Sequence, residues 1–94
     1  MMVQTACVEI DCDADSSDVA DVLRSLTLGG PFTVSDVVAA GSRRLRCHFR
    51  LTRADMAVGY GSVIELQHRI DREFHIVSVD HHSIHFSTKD LVLS

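Results

Sequence analysis

The segment Arg44-Leu45-Arg46-Cys47-His48-Phe49-Arg50-Leu51 separates charge from apolar surface residue by residue. In an extended chain alternate side chains point to the same face. Arg44, Arg46, His48 and Arg50 therefore form a cationic stripe, and Leu45, Cys47, Phe49 and Leu51 an apolar one. Guanidinium groups are planar, permanently charged and suited to carboxylates, phosphates or an acidic protein surface. A second alternating segment, Gln4 to Cys12, sets Ala6, Val8, Ile10 and Cys12 against Thr5, Cys7, Glu9 and Asp11. Adjacent strands of these two kinds would bring Glu9 and Asp11 to the arginines, in cross-strand pairs worth roughly 0.2 to 1 kcal/mol each. Three arginines against two acids leave a cationic surplus. Arg44, Arg46, His48 and Arg50, with Glu9 and Asp11, are accordingly the expected ligand- or partner-binding residues.

Other groups carry alternative chemistries. Imidazoles ligate zinc, nickel and copper, so His81, His82 and His85, near Asp80 and His75, are the candidate metal ligands if the chain binds a transition metal. Cys7 is expected on the polar face beside the arginines, whose charge would lower its pKa and make it nucleophilic; His48 is the base within reach for a thiol mechanism. Asp11-Cys12-Asp13-Ala14-Asp15 opens like a calcium-binding EF-hand loop. It then places Ser16 where the sharp turn needs glycine and Val22 where a bidentate glutamate belongs. Those acids are expected to lie at a helix N-terminus.

Strand one covers the Gln4 to Cys12 alternation. Val19, Val22, Leu23 and Leu26 recur at helical spacing, predicting a helix from about Ser17 to Leu28 that stops at Gly29-Gly30-Pro31. Phe32 to Ala40 and Arg43 to Leu51 read as a hairpin turning at Gly41-Ser42. Thr52 with Asp55 three residues on suggests a capping box opening a second helix over residues 53–73. Met56, Tyr60, Val63, Ile64, Ile70 and Phe74 would line its buried side, with close packing at Gly59 and Gly61. From His75 the period returns to two. Pairing Val79 with Ile84 and Val77 with Phe86 predicts a terminal hairpin whose turn holds His81 and His82. Leu91-Val92-Leu93 would supply a further β element.

The order β-α-β-β-α-β, with an extra C-terminal β element, predicts an α+β fold of two layers. It is a split β-α-β, ferredoxin-like plan in which two helices cover one face of an antiparallel sheet and leave the other open. Residues 1–94 are expected to form one domain, since 94 residues hold one core. That plan hosts unrelated functions. Strand three lacks the stacking aromatics of an RNA-recognition motif, and no CxxC loop of the metal-chaperone type follows strand one.

Composition narrows the classes further. Charge is uneven: residues 1–40 hold seven acids and one base, residues 41–94 six acids and eight bases, within a formal net charge of −4. An acidic chain neutralises few phosphates, so nucleic acid is not an expected partner. No apolar run reaches the ~20 residues that span a bilayer, and no signal peptide opens the sequence. Three cysteines outside any CxxC spacing agree with the reducing cytoplasm. The leading expectation is a small non-enzymatic domain, without cofactor, that uses the open sheet face to bind an unknown ligand, an acidic protein or a second copy of itself. A metal-binding protein and a small thiol or hydrolytic enzyme are the alternatives.

Overall fold

A computed structural model describes residues 2–53 and 58–84, with side chains for residues 3–53 and 58–81. The described chain runs β1 (Met2–Asp11), α1 (Ser16–Leu26), β2 (Phe32–Gly41), β3 (Arg44–Leu51), α2 (Tyr60–Asp71) and β4 (His75–Ile84). The strands form one antiparallel sheet in the order β2-β3-β1-β4. This is an α+β architecture with the two long-range partners of β1 flanking it, which makes β1 and β3 the central strands and β2 and β4 the edges.

Alternation explains which side of the sheet is covered. Ala6, Val8 and Ile10 of β1, with Leu45, Cys47 and Phe49 of β3, are buried, and α1 and α2 supply Val19 and Leu23, and Val63, Leu66 and Ile70, to the same core. Phe32 and Val34 complete it from β2. The helices are fixed to one another as well as to the sheet: Arg69 of α2 donates to the Leu26 carbonyl at 3.1 Å and pairs with Glu65 at 2.8 Å. That donor serves one of the carbonyls an α-helix leaves unpaired at its C-terminus. After α1, Thr27 donates its hydroxyl to the Leu23 carbonyl at 2.8 Å, and Gly29 takes φ 77, a conformation that glycine adopts without a Cβ penalty.

Three sequence expectations are corrected. The second helix starts at Tyr60, after Gly59; Thr52 lies eight residues earlier, donating its hydroxyl to the Gly30 carbonyl at 3.4 Å and its N–H to the Pro31 carbonyl at 2.8 Å. Ahead of that helix the chain touches the sheet margin, where Val3 N–H donates to the Val58 carbonyl at 3.0 Å. Asp55 and Met56 lie outside the described residues. Close packing at the glycines is also absent, since a Cβ added to Gly59 or Gly61 would meet nothing within 4 Å.

The predicted turn at Asp80 to Ser83 is the third. β4 continues through those residues and pairs with β1 up to Met2↔Ile84, because the ten-residue β1 offers a full ladder of donors and acceptors. His81 and His82 are thus strand residues. A bulge where Glu9↔Ser78 gives way to Ile10↔Ile76 inserts Val77 as an extra residue and turns it outward, while Ile76 and Val79 pack on the core. His85, Phe86 and the expected final β element at Leu91-Val92-Leu93 lie outside the described residues.

Candidate functional site

With both helices on one side, no described helix or loop covers the other face of the sheet, and the pairing register lays its side chains out in rows across the strands. In the order β2, β3, β1, β4, one row reads Asp36, His48, Cys7, Asp80, and the next reads Val38, Arg46, Glu9, Ser78. A bulge at Ser35 keeps Asp36 in register with His48, and the Ser35 hydroxyl donates to the His48 carbonyl at 3.1 Å. The flanking rows carry Arg50 beside Thr5, and Arg44 beside Asp11.

All six residues expected to bind a ligand or partner share this face, and the register sets Glu9 opposite Arg46 and Asp11 opposite Arg44. Glu9 lies between two guanidinium groups, 3.8 Å from Arg44 and 4.0 Å from Arg46. Both contacts are at the long end for an ion pair, and the arginines remain half exposed. Asp11 instead pairs with Arg43, at 3.2 Å, and Asp13 joins it at 3.6 Å. Arg43 sits at φ 56, in the left-handed region that disfavours side chains, and its carbonyl accepts from Cys12 N–H at 3.1 Å. The turn that aims β3 along β1 is thereby tied to the end of β1. Arg50 makes no ion pair among the described residues. It lines a shallow hollow of about 650 Å³ together with Thr5, Cys7, Asp36, His48 and Asp80.

The register sets Cys7 opposite His48, but the lowered thiol pKa that the alternative reading expects is not found. Burial pushes the Cys7 thiol above its ordinary value of 9.0, and although Arg46 opposes the shift, Asp80 and Glu9 add to it. Burial and the two neighbouring acids together outweigh the arginine, so the sequence expectation of an activated thiolate is reversed. Cys47, on the covered face, is pushed up to about 12, first by burial and then by Cys7 and Cys12. The three cysteines are free thiols.

The histidine-rich end is arranged differently from the sequence expectation. His81 stands opposite Ala6, a core position of β1, and its ring lies 5.0 Å from that of Tyr60 at the start of α2, tilted by 53°. His82 pairs with Thr5 in the backbone ladder, and His75 with Asp11 at the far end of β4. No group of three or more His, Cys, Asp or Glu side chains converges among the described residues. Of the acids before α1, Asp15 occupies the N-cap position without a side-chain cap bond. Sequence reasoning missed Asp36 and Asp80 as members of the open face; the bulges that set their register leave no mark in the alternation pattern.

No family model matches the chain, and no curated protein matches it either. A solved structure, that of the TT0538 protein from Thermus thermophilus, superposes on 84% of this chain with a TM-score of 0.77 at 16% identity. The matched part is 18% of that protein's chain, so this chain spans less than a fifth of its length. At that identity the likeness concerns the α+β fold alone. No helix among the described residues is long and apolar enough to cross a membrane.

Proposed function

We propose that this chain is a small non-enzymatic binding domain of the ferredoxin-like plan, and that its working surface is the open face of the sheet. The observation that carries the reading is the cationic stripe of β3, which runs along the middle of a face that none of the described elements covers. Arg44 and Arg46 share the single carboxylate of Glu9, and Arg50 faces the hollow with no ion pair among the described residues. Arg44, Arg46, His48 and Arg50 are the contact residues, with Glu9 and Asp11 setting the register of charge. Planar guanidinium groups on a half-hydrated surface favour carboxylate-rich partners, either an acidic protein or the acidic strand of a second copy. The raised Cys7 pKa speaks against thiol catalysis on this face. Three free thiols suit the reducing cytoplasm as the place of action.

The test is an affinity capture from the source cell with the wild-type chain and with Arg46→Glu/Arg50→Glu as parallel baits. A partner retained by the first and lost by the second, at equal circular dichroism and melting temperature, supports the open face. The same partners on both baits would move the working surface elsewhere.

A further inference from the structure

We infer that the open face docks a second copy of this chain about a two-fold axis that lies parallel to the strands, between β3 and β1. This deepens the reading of that face as the working surface and rests on it. In the aligned class of sheet packing the strand directions stay within about 30° of one another, so the axis of such a pair runs either along the strands or across them. An axis across the strands lays β3 on β3 with its ends reversed, and sets Arg44 against Arg50. Cations then meet cations. An axis along the strands lays β3 of one copy on β1 of the other without changing the rows.

The rows decide between the two. With the axis along the strands, Arg46 meets Glu9 of the second copy and Arg44 meets its Asp11, each contact occurring twice by symmetry. The Glu9 contacts within one chain, at 3.8 and 4.0 Å, leave most guanidinium donors unused. A second, independent observation agrees. Among the described residues, Val38 and Val77 are the exposed large apolar residues of this face, at 37% and 40%, one on each edge strand and at the same level. The axis along the strands lays β2 over β4 and brings Val38 of each copy against Val77 and Ser78 of the other; the axis across the strands would leave both uncovered by an apolar partner. The operation also sets Asp36 against Asp80 on the two edge strands, where solvent and salt screen the like charges. Like charges thus fall at the margin and opposite charges in the middle. Four strands spaced ~4.8 Å apart and about eight residues long give a face of roughly 500 Å² per copy, which belongs to the weak, transient class of interfaces.

The experiment is sedimentation equilibrium of the full chain at high micromolar concentration, at low and high salt, for wild type, Glu9→Arg, Arg46→Glu and the charge-swapped Glu9→Arg/Arg46→Glu. The expected result is a dimer that salt weakens, that each single reversal weakens at least tenfold, and that the swap restores. Alongside it, Val38→Cys and Ser78→Cys chains are oxidised separately and mixed, against a wild-type background that accounts for the native thiols. A disulfide-linked pair that forms only from the mixture supports the axis, and this arm leaves the charges intact should a reversal fail to fold. A strictly monomeric wild type, a dimer indifferent to the reversals, or a Val38→Cys chain that links to itself would each overturn the inference. A monomer that still loses its cellular partner on Arg46→Glu/Arg50→Glu overturns only the second copy and leaves the open-face reading standing.

Discussion

The two faces of this sheet are made by alternate residues of the same strands, and they obey different physics. On the covered face of β3, Leu45, Cys47 and Phe49 are at most 6% exposed and belong to the same core cluster as residues of both helices. On the open face, one residue away in each case, Arg44, Arg46 and Arg50 remain hydrated, and the first two meet the Glu9 carboxylate at ion-pair distances near the limit. The first arrangement excludes water and makes stability depend on volume. The second keeps water and leaves the side chains available to something else. β3 divides its residues between holding the fold and presenting charge.

The largest break in that division is Phe49→Ala. Phe49 is 1% exposed in a core only two layers thick, so the substitution should cost about 3 to 5 kcal/mol through lost burial and the cavity it leaves. Chemical denaturation of the variant checks it, and a loss under about 1 kcal/mol would place the ring outside the core.

A pH experiment sharpens the same contrast. The folded pKa of Cys47 is raised from 9.0 to about 12, so its contribution is fully present below about pH 9, where both states keep the proton. As pH rises further, the unfolded thiol ionises first, the unfolded state binds fewer protons, and stability falls until the folded pKa is reached. Across that window the loss is on the order of 4 kcal/mol at most. Cys47→Ala should show a shallower decline in stability between pH 9 and pH 12 than the wild type does. Equal slopes would mean that the thiol ionises without opening the core.

How far these two faces were legible in the sequence depended on whether the strand kept its period. β3 has an unbroken alternation from Arg44 to Leu51 in both sequence and structure, and its two faces are read directly. β4 does not: the bulge at Val77 reverses the parity between Ile76 and Val79, and a pairing of Val77 with Phe86 is self-consistent only where alternation continues unbroken. In α2 the buried stripe is Val63, Leu66 and Ile70, yet Tyr60 and Ile64, both largely exposed, drew the expected stripe away from Leu66. The charged face was legible in membership for β1 and β3. Its pairing was only partly so, because Asp11 turns to Arg43, whose backbone conformation in the hairpin turn no alternation rule reports.

The smallest expected effect bears on the open face, and it separates a structural charge ladder from a binding surface. Arg44→Ala and Arg46→Ala should each change stability by no more than a few tenths of a kcal/mol, because Glu9 keeps the other guanidinium in either variant and exposed pairs contribute ~0.2 to 1 kcal/mol. The double substitution removes both partners from Glu9, whose side chain is only 25% exposed and therefore partly desolvated. Its cost should exceed the sum of the single costs by about 0.5 kcal/mol, the mark of two residues sharing one neighbour. Three denaturation midpoints with an unchanged slope measure this. Strict additivity would mean that Glu9 is solvated well enough to need neither arginine, and the basic stripe would then be committed to nothing within its own chain.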